Sequence, residues 1–151
     1  MRNAIVILAL LTSALLFGCN KDKFTTEPQV KIRDISPSEV FQNSIVRLRA
    51  SFTDEEGDLD SVYVVYKWYN NNLITRNDTI DYSIDGLGVP VKLREGDIFV
   101  DFAYGQVDGY ITLGGTPVQK DTSVTFGLIL QDKAKNRSEY KESDRIRFRK
   151  P

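Results

Sequence analysis

Apolar and polar residues alternate along most of this chain from residue 30 onward. Two of the clearest runs are Val46, Leu48, Ala50, Phe52 and Val124, Phe126, Leu128, Leu130. A period of two turns one face of a strand toward a core and the other toward solvent. No stretch of useful length shows the 3.6-residue period of an amphipathic helix. The pattern therefore predicts an all-β fold.

Residues that favour turns separate the alternating runs. They include Asp54 to Asp58, Asn70 to Asn72, Asp85-Gly86, Glu95 to Asp97 and Gly114-Gly115. Weaker strand patterns lie at Leu73 to Ile84 and at Tyr110 to Leu113. Many short strands with regular turns are typical of a sandwich, so we expect one antiparallel β-sandwich of about seven to nine strands over residues 30–151.

The start of the chain departs from this pattern. Arg2 precedes an apolar run over residues 4–17, and Gly18 and Cys19 close the run. Its length suits a signal-peptide core of roughly 7–15 residues and falls short of the roughly 20 that span a bilayer. With Leu16 three positions before the only cysteine and Gly18 directly before it, the block resembles the signal of bacterial lipoproteins, although Phe17 is bulkier than usual.

This resemblance implies that residues 1–18 are a cleaved signal peptide and that Cys19 carries a diacylglyceryl thioether, with a further acyl chain such as palmitate on the new amino terminus. Two or three acyl chains anchor a protein stably to a membrane. The polar residues 19–29 then form a flexible tether. Because Asn20 is not the aspartate that retains some enterobacterial lipoproteins in the inner membrane, the outer membrane is favoured. The alternative is an ordinary secretory signal with a coincidental cysteine.

The amino-acid composition excludes several classes of function. The chain has 20 basic and 21 acidic residues, so it offers no net basic surface for nucleic acid. It has no histidine, which removes the commonest general base and the imidazole metal ligands. A single cysteine permits no disulfide within the chain. We therefore expect a fold held by its core and a protein that is not an enzyme.

Two short motifs and a tryptophan indicate the kind of sandwich. Trp68 lies on the apolar face of the predicted third strand. Phe52, Asp54, Gly57, Asp58 and Leu59 match the pattern F-x-D-x-x-G-D-L, and Asp132, Ala134, Asn136 and Ser138 match D-x-A-G-N-x-S, with Lys135 in place of glycine. Together these features resemble the immunoglobulin-like or fibronectin-III-like domains of bacterial surface lipoproteins. The resemblance implies an immunoglobulin-like sandwich that presents a binding surface.

An acidic loop is the first candidate site. Carboxylates stand at every second position of the loop, at Asp54, Glu56, Asp58 and Asp60. In an immunoglobulin-like topology this loop emerges at the same end as the hairpin that holds Asp132 and Asn136. Calcium takes six to eight oxygen ligands, so these residues predict a possible calcium site. The alternative is that they form Asx-type turns and solvated charges, with Gly57 at a positive φ.

Outward aromatic residues are the second candidate site. Tyr63 and Tyr69 lie on the face of their strand opposite Trp68, with Val65 between them, and Tyr104 and Tyr110 flank a nearby turn. Such a row can stack on sugar rings or pair across strands. We thus expect a lipid-anchored envelope protein whose domain binds an envelope protein or glycan. The alternative is a carbohydrate-binding accessory module of a surface glycan-utilisation system.

Overall fold

The computed structural model describes residues 26–90 and 92–151, which form a β-sandwich. Its strands are β1 (Gln29–Ser36), β2 (Glu39–Val40), β3 (Ile45–Thr53), β4 (Leu59–Asn70), β5 (Leu73–Ser83), β6 (Glu95–Ala103), β7 (Ile111–Thr112), β8 (Thr122–Asp132), β9 (Lys141–Glu142) and β10 (Ile146–Phe148). A 3-10 turn covers Asp85–Leu87. The predicted signal peptide, Cys19 and most of the predicted tether lie outside the described residues. None of the helical structure described here is long and apolar enough to cross a membrane.

The strands form two sheets that face each other. One sheet has the order β1-β3-β6-β7; the other has the order β2-β10-β8-β4-β5, with β9 added beside β8. The long strands pair antiparallel, whereas β2 pairs parallel with β10 and β7 pairs parallel with β6. The predicted all-β sandwich is confirmed. It has ten described strands, more than expected, because β2, β7 and β9 have two residues each and are too short to show a period of two.

The core lies between the two sheets and is rich in aromatic rings. Every second residue is buried along β3, and along β4 from Val62 to Trp68, as the alternation predicts. The rings of Phe102 and Phe126 stack across the two sheets with their centroids 5.1 Å apart. Trp68 lies on the buried face of β4, and its ring meets Phe148 edge-on at 5.2 Å. Burial of such rings supplies most of the favourable free energy of folding.

The strand directions place the connecting loops at two opposite ends. The acidic end carries the loops 54–58 and 133–137 and the segments 84–90 and 92–94, and β1 begins there, since Gln29 pairs with Thr53. The far end carries the loops 41–44, 71–72 and 104–110.

Tyr104 stabilises the far end through two hydrogen bonds. Its side chain is fully buried. Its hydroxyl donates a hydrogen bond to the Arg149 carbonyl at 2.7 Å and accepts one from the Val118 N–H at 3.2 Å. The expectation that Tyr104 joins an exposed aromatic surface is therefore wrong, because this ring is part of the core.

Candidate metal centre

Three aspartates converge at the acidic end. Asp54 follows β3, Asp58 precedes β4 and Asp132 ends β8. One carboxylate oxygen from each lies within 4.8 Å of those of the other two. The Lys133 N–H donates to the Asp58 carbonyl at 3.1 Å, which joins the loop before β4 to the hairpin after β8. The predicted meeting of this loop with the Asp132 hairpin is confirmed.

Two of the three aspartates in the cluster are buried. Asp54 is 0% exposed and Asp132 is 1% exposed, whereas Asp58 is half-buried. Asp132 accepts hydrogen bonds from the backbone N–H and the side-chain amide of Asn136, at 2.8 and 2.7 Å. Among the described residues, Oδ1 of Asp54 and Oδ1 of Asp58 are buried without any hydrogen-bond partner. A buried polar atom without a hydrogen-bond partner is unfavourable. A bound ligand or a proton would therefore stabilise these two oxygens, which lie beside a third carboxylate.

Gly57 allows the loop to bring Asp58 back toward Asp54. Its φ is +65°, and a Cβ there would stand 2.9 Å from the carbonyl oxygen of Lys92. Only glycine fits this position without a shift of the backbone. Oδ2 of Asp54 accepts the Asp58 N–H at 2.8 Å, so the expected turn is present. The turn accounts for one oxygen of Asp54 and leaves the other without a partner.

The electrostatics of the cluster favour a cation or a proton. Burial raises the pKa of Asp54, the N–H of Asp58 lowers it, and the charges of Asp58, Glu56 and Asp132 raise it further, so that the pKa lies above its usual value. Calcium holds its oxygen ligands at 2.3–2.6 Å, so two ligands of one ion stand at most about 5 Å apart. The separation of 4.8 Å or less meets this limit, and carboxylate oxygens are the donors that calcium prefers.

The other predicted ligands do not join these three oxygens. The Asp60 carboxylate accepts a hydrogen bond from Lys135 Nζ at 2.9 Å, and this contact lowers the pKa of Asp60. Glu56 is exposed and acts on Asp54 only through its charge. Asn136 serves as a hydrogen-bond donor to Asp132. Of the five predicted carboxylate ligands, the structure brings together Asp54, Asp58 and Asp132.

A small cleft borders the cluster. Its volume is about 140 Å³, and Asp58, Asp60, Ile84, Lys92 and Lys133 are among its lining residues. A water molecule takes about 30 Å³ in the liquid, so the cleft has room for a few waters. Calcium takes six to eight oxygen ligands, whereas three carboxylates that give one oxygen each supply only three. Waters are common ligands of protein-bound calcium and would supply others.

Tyr63 and Tyr69 lie on the outer face of β4, as predicted, and each ring is covered on one side. The guanidinium of Arg137 lies 5.0 Å from the centre of the Tyr63 ring, and that of Arg145 lies 3.9 Å from the centre of the Tyr69 ring. The two tyrosines stand about 20 Å apart along the strand, given a rise of about 3.3 Å per residue. They do not form one continuous platform.

Between these tyrosines lies a polar cluster that the sequence analysis missed. Lys67 Nζ pairs with Glu142 at 3.1 Å and lies 4.6 Å from the centre of the Tyr140 ring. The Thr125 hydroxyl donates to the same glutamate. A Cβ on Gly127 would overlap the Tyr140 ring. A glycine inside an alternating strand signals close approach of another group, and this was the available clue.

The comparisons with known proteins find only weak likenesses, all to solved structures. No protein-family model and no curated sequence matches the chain.

The sporulation control protein of Bacillus subtilis is 11% identical, with a TM-score of 0.48, over 84% of this chain and 51% of that one. An alkylpurine DNA glycosylase of Pseudomonas fluorescens is 8% identical, with a TM-score of 0.47, over 91% of this chain and 33% of that one. The chain thus spans about half of the first protein and a third of the second. The CARDB domain of a Pyrococcus furiosus protein is 11% identical, with a TM-score of 0.26, over 83% of this chain and 93% of that domain. At these identities and scores, the likenesses carry no statement about function.

Proposed function

We propose that this chain is a lipid-anchored protein of a bacterial cell envelope, whose immunoglobulin-like sandwich binds calcium at its acidic end and contacts an envelope partner without catalysing a reaction. The observation that carries the calcium part is the cluster of Asp54, Asp58 and Asp132, with its two buried oxygens that lack partners. The lipid anchor rests on the resemblance of residues 1–19 to lipoprotein signals.

Calcium would act here as a structural clamp. The cluster joins the loop between β3 and β4 to the end of β8, so an ion bound by Asp54, Asp58 and Asp132 would hold these segments together. Three carboxylate charges at this separation repel one another, and a divalent ion replaces that repulsion with attraction. The ion thereby stabilises the folded state and leaves the unfolded chain largely unaffected.

The anchor and the calcium site would lie at the same end of the domain. β1 starts at Gln29, which pairs with Thr53, the residue directly before Asp54. The predicted tether, of about ten residues, reaches on the order of 33 Å when extended. The far end would then point away from the membrane. Exposed apolar side chains are found there, among them Phe41 and Leu73, which are 57% and 74% exposed.

Support for the alternative function, a carbohydrate-binding module, is weaker. Sugar rings stack on aromatic faces, and an arginine lies over one face of both Tyr63 and Tyr69. Retardation of the chain by a soluble polysaccharide in an affinity gel, abolished by Tyr69→Ala, would favour that alternative.

A melting experiment tests the calcium site. The full chain in detergent is melted in EDTA, in calcium and in magnesium, and the fluorescence of Trp68 reports unfolding, because it is the only tryptophan and is buried. Calcium at a hundred times its Kd adds about 2.7 kcal/mol, which raises the Tm by about 10 °C for a domain of this size. Magnesium should shift the Tm less, since it demands a tighter octahedral site.

Two variants separate the observed cluster from the wider acidic loop. Asp54→Asn should abolish the calcium shift, and Asp60→Asn should retain it, because Asp60 pairs with Lys135 outside the cluster. An equal loss in both variants, or no shift in the unmodified chain, would contradict the calcium proposal.

A separate experiment tests the proposed lipid anchor at Cys19. Cys19→Ser should move the protein from the membrane fraction to the soluble fraction, and mass spectrometry should find acyl chains on residue 19 of the unmodified protein. A bare thiol, with the leader cleaved elsewhere, would contradict lipid anchoring and leave the calcium proposal intact.

A further inference from the structure

β5 forms a long edge of the second sheet. It runs from Leu73 to Ser83, and among the described residues β4 is the only strand that pairs with it. Nearly every residue of its first half is exposed. Its sequence contains no proline or lysine, two residues that commonly protect a strand edge, and its pairing with β4 has one irregularity, a register shift at Thr75. A long edge of this kind can pair with another strand.

Two opposite charges stand near the middle of this edge. Arg76 and Asp78 lie opposite Trp68 and Tyr66 of β4, which places them on the inner face of the sheet. The two side chains pair with each other and remain 47% and 34% exposed. Charges on the inner face of an edge strand disfavour pairing with any strand that lacks matching charges.

β5 itself carries the matching charges. When two copies of the strand run antiparallel about a twofold axis at Asn77, Arg76 of each copy lies opposite Asp78 of the other. Shifting the register by two residues places Asp78 opposite Asp78. A further shift by two residues places Asp78 opposite Ile80 and Arg76 opposite Tyr82. Of these registers, only the one centred on Asn77 gives both Arg76 and Asp78 an opposite charge directly across the strands.

From this complementarity we propose that two copies of the chain associate through β5, antiparallel and centred on Asn77, so that their second sheets become one continuous sheet. The four charges of the two copies then alternate in sign across the junction. Backbone hydrogen bonds between the two strands supply the affinity, and the charges select the register. The association involves no residue of the calcium cluster and is independent of the function proposed above.

Cysteine cross-linking of the full chain tests the register. In the proposed dimer the two Asn77 residues stand directly opposite each other, and the Cα atoms of opposed residues, about 4.5–5.5 Å apart, lie within the roughly 4.4–6.8 Å that a disulfide spans. Asn77→Cys should therefore give a covalent dimer under mild oxidation, with the bond located at residue 77 by peptide mass spectrometry. Thr79→Cys is the matched control, since it lies on the same face as Asn77 but two residues from the twofold axis, and it should not cross-link to itself.

Charge variants test the reason for the register. In the Asn77→Cys background, Arg76→Glu should lower the rate of cross-linking about tenfold, because it sets like charges opposite each other in both halves of the junction. The exchanged pair Arg76→Asp with Asp78→Arg should restore that rate. Melting curves confirm that each variant is folded. A faster reaction at residue 79 than at 77, no cross-linking at 77, or indifference to the charges would overturn the proposal.

Discussion

Replacing Asp54 with asparagine should stabilise the protein when no divalent cation is present. Asparagine keeps an oxygen that can accept the Asp58 N–H, and its amide can donate to the carboxylate of Asp58 or Asp132. At 4.8 Å, the separation limit within the cluster, two like charges repel by about 3.5 kcal/mol at an effective dielectric constant of about 20. The variant removes two of the three repulsions. We expect a gain of about 3 kcal/mol in the free energy of unfolding, because solvent beside the half-buried Asp58 screens part of these repulsions.

The pH dependence of this gain follows from the pKa of Asp54. Its pKa in the folded state is raised above the ordinary 3.8, so the folded state holds the proton more tightly than the unfolded state does. The resulting stabilisation is complete below the ordinary pKa and is lost as the pH rises through the raised one. In EDTA, the stability advantage of Asp54→Asn over the native chain should therefore grow as the pH rises from the ordinary 3.8 through the raised pKa of Asp54.

Urea unfolding followed by Trp68 fluorescence measures both effects. The titrations are run in EDTA at pH 5 and pH 7, and in calcium at pH 7, with Glu55→Gln as a control that changes an exposed neighbour outside the cluster. Calcium should stabilise the native chain and the control, and should leave Asp54→Asn unchanged. The reasoning is refuted if Asp54→Asn is less stable than the native chain in EDTA at pH 7, or if calcium stabilises it equally.

Three other substitutions probe packing away from the cluster, each measured by the same urea unfolding. Tyr104→Phe should cost about 2 kcal/mol, because it leaves one buried and one partly buried backbone group without their hydrogen-bond partner; an unchanged midpoint would refute this role. Gly127→Ala should cost about 1–3 kcal/mol, since the new Cβ displaces the Tyr140 ring; a gain in stability would contradict the close contact. Glu142→Gln should cost less than about 1 kcal/mol, as expected of a partly exposed ion pair with Lys67, and 1 M salt should remove most of the difference.

The long strands could be predicted from sequence because their burial is local and regular. In β4, Val62, Val64, Tyr66 and Trp68 share one buried face, and the alternation alone shows it. The short strands could not be predicted, because β2, β7 and β9 exist only where the chain returns beside a longer strand. Their pairing depends on tertiary contacts, and two residues carry no period. The parallel pairs escaped prediction for the same reason.

The candidate metal site was partly predictable. Turn residues and topology placed the loop of Asp54 beside Asp132, and the structure agrees. The sequence pattern alone does not distinguish Asp58, which faces the cluster, from Asp60, which pairs with Lys135. That distinction depends on the backbone turn at Gly57 and on the direction of the Lys135 side chain. The backbone at Lys135, with a φ of +73°, helps to set that direction. Both are three-dimensional properties of loops, where periodicity gives no information.

The positions of Gln29 and Phe148 have a mechanical consequence. Gln29 lies at the acidic end of the sandwich, and Phe148, opposite Thr122, lies at the far end. A pulling force between these two points runs along the strands, while the hydrogen bonds of an antiparallel ladder run across them. The bonds that join β1 to β3 would then be loaded in shear and would have to break together. A domain pulled in this direction resists extension better than one whose strands are peeled apart singly.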